Sequence, residues 1–114
     1  MKNPLTSYPR KEKKMGILNL FRSKPKKNFI AFEGGPGDCK ENAVVIHAPN
    51  NMLGVMAEYQ YVGSRCGVRN RDWKLCMQSL VSGNGKKYDV LDIEMKDGTR
   101  RTFYFDISDF FGKF

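Results

Sequence analysis

Apolar and polar positions follow distinct rhythms along this chain, and the clearest lie toward its C-terminus. In YDVLDIEM (88–95), Leu91, Ile93 and Met95 alternate with Val90, Asp92 and Glu94. In RRTFYFDI (100–107), Phe103, Phe105 and Ile107 alternate with Thr102, Tyr104 and Asp106. Successive side chains of a strand point to opposite faces, so each run predicts a strand with one apolar and one wet face. WKLCMQSLV (73–81) also has strand character. The dipeptides Asn84-Gly85 and Asp97-Gly98 fall between the runs and suit the positive φ of tight hairpins. Together these signals predict an antiparallel β-meander over the last third of the chain.

Upstream, NFIAFEG (28–34) reads as a short strand, and GGPGD (34–38) as a turn. NAVVIHA (42–48) is rich in β-branched residues and predicts a second strand, ended by Pro49. Asn50 or Asn51 can then cap a helix with a short side-chain oxygen. Met52, Val55, Met56, Tyr59 and Val62 recur at three- and four-residue steps, the pattern of an amphipathic helix, which Gly63 or Gly67 can close. A strand over AEYQYV (57–62) is the competing assignment. In SDFFGKF (108–114), Ser108 can cap a short terminal helix that lays Phe110 and Phe111 on the sheet edge or core. The expected fold is α+β: a small antiparallel sheet in the order β-β-α-β-β-β, packed against one amphipathic helix. By spacing, the methionines of the domain (Met52, Met56, Met77, Met95) belong inside it, as adaptable packing.

Charge changes the picture of the first 27 residues. The chain of 114 residues has a net charge of +8. Residues 1–27 hold nine Lys/Arg and one acid, whereas residues 28–114 hold eleven of each. The basic character therefore belongs to a leader, and the domain at 28–114 is neutral. With two prolines and few apolar residues, 1–14 lack material to bury and are expected to be disordered. Residues 15–22 suit two helical turns, with Ile17, Leu18, Leu20 and Phe21 on roughly one side and Pro25 as a stop. Met15 offers an alternative start. The opening MGILNLFRSKPKK resembles the starts of many small cytosolic bacterial proteins, a resemblance that covers a dozen residues and implies no activity. No apolar run is long enough to span a bilayer, and the leader lacks the form of a secretory signal. Cys39, Cys66 and Cys76 are odd in number and contain no C-x-x-C pair, which suggests neither a disulfide framework nor a zinc site. A cytoplasmic home fits that usage.

Candidate chemistry is sparse. His47 is the single histidine; with Cys39 or Cys76 as nucleophile it would form a small Cys/His site, but no local signature surrounds these residues. Asp89, Asp92, Glu94, Asp97, Asp106 and Asp109 make an acidic run along the last hairpin. Asp92 and Glu94 share a strand face, where a carboxylate pair can bind a cation or move a proton; a solvated outer face is the favoured reading. GGPGD meets neither nucleotide-binding spacing. The stretch YQYVGSRCGVRNRDW (59–73) brings Arg65, Arg69 and Arg71 near Tyr59, Tyr61 and Trp73, residue types that anchor protein interfaces or stack on bases. No cofactor and no metal site is expected.

These features favour a non-enzymatic protein-binding domain, for instance a small bacterial regulatory or immunity-type partner, contacting another protein through Arg65, Arg69, Arg71, Tyr61 and Trp73. One alternative is a nucleic-acid binder that uses the basic leader and the same arginine loop. Another is weak peripheral membrane contact through Ile17 to Phe21. A third is a small Cys/His enzyme. The sequence specifies no oligomeric state.

Overall fold

A computed structural model describes residues 29–114 of the protein. The basic leader, the helix expected at 15–22 and the alternative start at Met15 lie outside the described residues. Five strands and one helix follow in the order β1 (Ala31–Gly34), β2 (Val44–His47), α1 (Asn51–Cys66), β3 (Trp73–Gly83), β4 (Lys86–Met95) and β5 (Arg100–Asp106). A single 3-10 turn at Lys40–Asn42 joins β1 to β2. The α+β class and the element order agree with the sequence pattern.

The sheet order is β1-β2-β5-β4-β3. The meander β3-β4-β5 is antiparallel, and so is β1 with β2. The two halves meet where β2 runs parallel to β5, Val44 opposite Phe105 and Val45 opposite Asp106. The sheet is thus mixed. The loop after β1 prolongs that seam: Tyr104 N–H donates to Gly37 O at 2.8 Å, in line with the β2–β5 pairing. Gly37 has φ +91°, and a Cβ there would lie 3.0 Å from Val44 Cγ2, so glycine suits both the turn and the close approach.

Local chemistry explains the element ends. The Asn50 side chain accepts the Leu53 N–H at 2.9 Å and caps α1. Gly67 ends the helix with φ +104°, its N–H returned to Gly63 O. Asn84 and Gly85 have φ +53° and +75°, the left-handed pair of a two-residue type I′ hairpin. Gly98, at φ +90°, turns β4 into β5.

The core lies between α1 and one sheet face, built from Val44, Ile46, Ala57, Val62, Trp73, Leu91, Ile93, Phe103, Phe105 and Phe110. The strand faces follow the predicted alternation, with one refinement. Val90 and Tyr88 on the opposite face are also buried, so that face is not uniformly wet.

Besides the wholly antiparallel sheet, which the parallel β2–β5 seam makes mixed, two expectations are corrected. The terminal segment forms overlapping turns instead of a helix: the N–H groups of Phe110 and Phe111 both return to Ile107 O. These turns place the Phe110 ring, fully buried, against Gly54 of α1. Second, the buried stripe of α1 is Gly54, Ala57, Glu58, Val62 and Cys66, not the methionine stripe. Met52 is 68% exposed and Met56 48%, and Met77 on β3 is also exposed. Small residues let the helix approach the sheet and Phe110, which turns the bulkier methionines outward.

Candidate functional site

The stretch 59–73 does not converge on one surface. Arg65 and Tyr61, one helical turn apart, point to the same flank. The Arg65 guanidinium donates to Tyr61 Oη at 2.8 Å and lies over the same ring at 4.8 Å. Tyr61 Oη donates in turn to Pro36 O, and the ring packs edge-on against Phe103 and Phe105. Arg65 and Tyr61 therefore tie α1 to the loop after β1.

Arg71 lies elsewhere, forked onto Asp72 with Nη2–Oδ2 at 2.8 Å. Asp72 also accepts the Val68 N–H at 2.7 Å. The Arg71 hydrogen bond first, and the Val68 amide second, hold the Asp72 carboxyl below its ordinary range. A Cβ on Gly67 would strike this carboxylate, so the turn that holds Asp72 and Arg71 needs glycine at 67. Trp73 is a core residue; its indole N–H donates to Gly67 O at 2.8 Å.

Arg69 is placed differently. Its guanidinium lies over the Tyr59 ring at 4.6 Å, and Tyr59 stacks on Trp73 with centroids 6.5 Å apart. Arg69, Tyr59, Val55, Met56 and Gln60 line a shallow, open depression of about 360 Å³. Met52, Met56 and Tyr59 stand at successive turns of α1, so the depression belongs to a methionine-aromatic stripe on the flank of the helix, where Tyr59 rests on β3 and the methionines face solvent.

Beneath that stripe lies a polar network that sequence reasoning missed. Glu58 is fully buried on the sheet side of α1, and Asp89 of β4 is buried beside it. As a carboxylate, Glu58 finds no donor for either oxygen. As a carboxylic acid it donates to Asp89, and burial, followed by that hydrogen bond and the Asp89 charge, raises its pKa from 4.5 to about 10. Glu58 is therefore neutral at physiological pH. Gln78 of β3 donates from Nε2 to Asp89 at 2.8 Å, and its Oε1 accepts from Tyr59 Oη at 3.4 Å. Burial holds the Tyr59 phenol above its usual pKa, with Arg69 pulling the other way. The signal for Glu58 was available only in part: it stands four residues from both Gly54 and Val62, on one helical stripe, but an acid is rarely assigned to a core.

His47 sits at the other end of the sheet. Its Nε2 contacts Glu33 and its Nδ1 lies 3.7 Å from Asp109, so its partners are carboxylates and not thiols. Cys76 stands at the β-bulge between Leu75 and Met77, where it hydrogen-bonds Glu94 at 3.9 Å. Cys39 precedes the 3-10 turn, half-buried. Cys66, buried on α1, accepts from Arg101 at 3.3 Å. Among the described residues, no group of three or more His, Cys, Asp and Glu is arranged to hold a metal ion.

The rest of the acidic run is engaged strand by strand. Asp92 accepts the Thr102 hydroxyl at 2.5 Å. Glu94 has Lys74 at 3.9 Å and stands directly across from Arg100. Asp106 is buried, with Lys86 at 3.6 Å and the Ser108 hydroxyl at 2.7 Å. No described helix is long and apolar enough to cross a membrane. The chain matches no protein-family model, no curated protein and no solved structure.

Proposed function

We propose that this is a non-enzymatic protein-binding domain whose partner seats on the outward stripe of α1, over Met52, Met56, Tyr59 and Arg69. The observation that carries the reading is the exposure of two methionines beside a tyrosine bearing a guanidinium. Methionine is unbranched and polarizable, so a stripe of it adapts to a partner's shape. Tyrosine and arginine are the side chains that most often concentrate binding energy at interfaces. Tyr59 is held from below by Trp73 and by its contact with Gln78, so little of its freedom would be lost on binding.

Within the earlier loop hypothesis, this reading retains Arg69 as a direct contact and gives Trp73 a supporting role. Arg65, Tyr61 and Arg71 serve the fold of the same region.

The test compares the full chain with a Met52→Glu/Met56→Glu variant as bait in its own host's extract. A partner retained by the natural chain and lost by the variant, with the melting temperature unchanged, supports the reading. A partner held equally by both places binding elsewhere. A chain that captures only nucleic acid, released by modest salt, favours the basic-leader alternative.

A further inference from the structure

We infer that the free edge of β3 pairs antiparallel with β3 of a second copy of this chain, with Leu80 at the two-fold axis. This goes beyond the binding stripe on α1 and uses a different part of the molecule. β3 and β1 are the two edges of the sheet. Edge strands of natural proteins are usually blunted by shortness, charge, proline or bulges, because an open row of N–H and C=O groups recruits another strand. β1 is blunted: it has four residues, and its Glu33 is engaged by His47. β3 has eleven residues, and its single bulge lies at Cys76, near one end. Among the described residues its outer edge is engaged at Trp73, by an isolated bridge to Arg69, and no strand pairs with it from Leu75 to Gly83. From Leu75 to Gly83 it carries no charge and no proline.

The hairpin fixes which groups face outward. Asn84 and Gly85 form a two-residue turn, so Gly83 and Lys86 close the ladder as a hydrogen-bonded pair. Bonding alternates along an antiparallel strand. Gly83, Val81 and Ser79 therefore direct their backbone groups to β4, while Ser82, Leu80 and Gln78 direct theirs to the free edge.

A second copy centred on Leu80 satisfies those outward groups symmetrically: Leu80 faces Leu80 of the copy, and Gln78 faces its Ser82. On the opposite face Ser79 meets Val81 and Met77 meets Gly83. No like charges are opposed. Leu80, 55% exposed in the single chain, gains an apolar cross-strand neighbour on the α1 side of the sheet. The same patch contacts itself, which is the isologous arrangement of a two-fold dimer. The product is a continuous ten-stranded sheet.

Sedimentation velocity of the full chain across a concentration series, with amide hydrogen exchange at the highest concentration, tests this. The expected result is a concentration-dependent dimer in which the amides of Gln78, Leu80 and Ser82 become at least tenfold more protected than at high dilution. Leu80→Lys sets two cations at the axis and should shift the dimer to monomer. Its side chain is exposed, so its melting temperature should match that of monomeric natural chain. Ser82→Lys tests the same edge independently. Met52→Glu/Met56→Glu should leave the dimer intact, which separates this inference from the binding stripe. A chain that stays monomeric throughout, or a dimer that survives both lysine variants with those amides unprotected, overturns the proposal. A monomer whose edge amides become protected only when a partner protein is added overturns self-pairing and assigns the edge to a foreign strand.

Discussion

Glu58 of α1 is fully buried beside Asp89 of β4, and burial together with that neighbour keeps Glu58 protonated. The pair links the helix to β4, the strand next to the β3 edge. Through Gln78 and Tyr59 it also reaches the base of the exposed methionine stripe. A buried acid without a cation nearby is costly, because only its neutral form tolerates the site at neutral pH.

That cost has a direction in pH. The Glu58 pKa is raised in the folded state from 4.5 to about 10. Between those values the folded chain keeps a proton that the unfolded chain releases, so stability falls as pH rises and is fully present only below the unfolded value. The slope is about 1.4 kcal/mol per pH unit, which amounts to about 3 kcal/mol by pH 7. Glu58→Gln preserves shape, supplies an amide donor for Asp89 and removes the titration. It should be more stable than the natural chain at pH 8, should show no such advantage at pH 4, and should have a flatter profile between them. Urea unfolding across that range checks this; a variant less stable at pH 8 would show that Glu58 is ionised in the fold.

A second prediction concerns Gly54. Glycine inside a helix is about 1 kcal/mol less favourable than alanine, so propensity alone says that Gly54→Ala stabilises. Here the new Cβ would lie 2.4 Å from the Phe110 ring, which is fully buried and has no room to retreat. Overpacking of this kind costs about 1–3 kcal/mol and should reverse the sign. Gly54→Ala should lower the melting temperature, and adding Phe110→Leu should recover part of the loss. A simple rise in stability would mean that the C-terminal turns do not pack on α1 in solution.

Much of this arrangement is legible in short-range sequence signals. Asn50, Gly67, Asn84 and Gly85 mark ends and turns because each satisfies a local backbone requirement. The period-two runs of β4 and β5 mark the core face for the same reason. The parallel pairing of β2 with β5 joins segments about sixty residues apart and has no local signature. The orientation of α1 was hidden for a different reason. Periodicity marks an apolar stripe through its largest side chains, but the approach of helix to sheet and to Phe110 selects its smallest, Gly54 and Ala57. The three arginines are close in sequence, yet the helix end and the Gly67–Asp72 turn direct each to a different neighbour.

The helix cap gives a third prediction. The Asn50 side chain satisfies the Leu53 N–H, an orphan donor of the first turn. Asn50→Ala should cost about 1 kcal/mol, and Asn50→Asp or Asn50→Ser should retain most of the stability. Chemical denaturation distinguishes them. Equal losses in all three variants would indicate that the backbone turn after Pro49, and not the side chain, starts the helix.

The orientation of α1 can be tested by pairing an outward and an inward substitution. Val62 is fully buried among core residues, whereas Met52 and Met56 face solvent. Val62→Ala removes buried methyl groups and leaves a cavity, with an expected cost of about 2 kcal/mol. Met52→Lys and Met56→Lys remove no core contact, and surface changes of this kind usually stay within about 0.5 kcal/mol. If the sequence periodicity alone governed packing, Met52, Met56 and Val62 would share the buried face and all three substitutions would be costly. With Gly54 and Ala57 on that face instead, only Val62→Ala should lower the unfolding midpoint appreciably. A midpoint that falls as far for Met56→Lys as for Val62→Ala would return the methionines to the core and remove the surface on which the binding proposal rests.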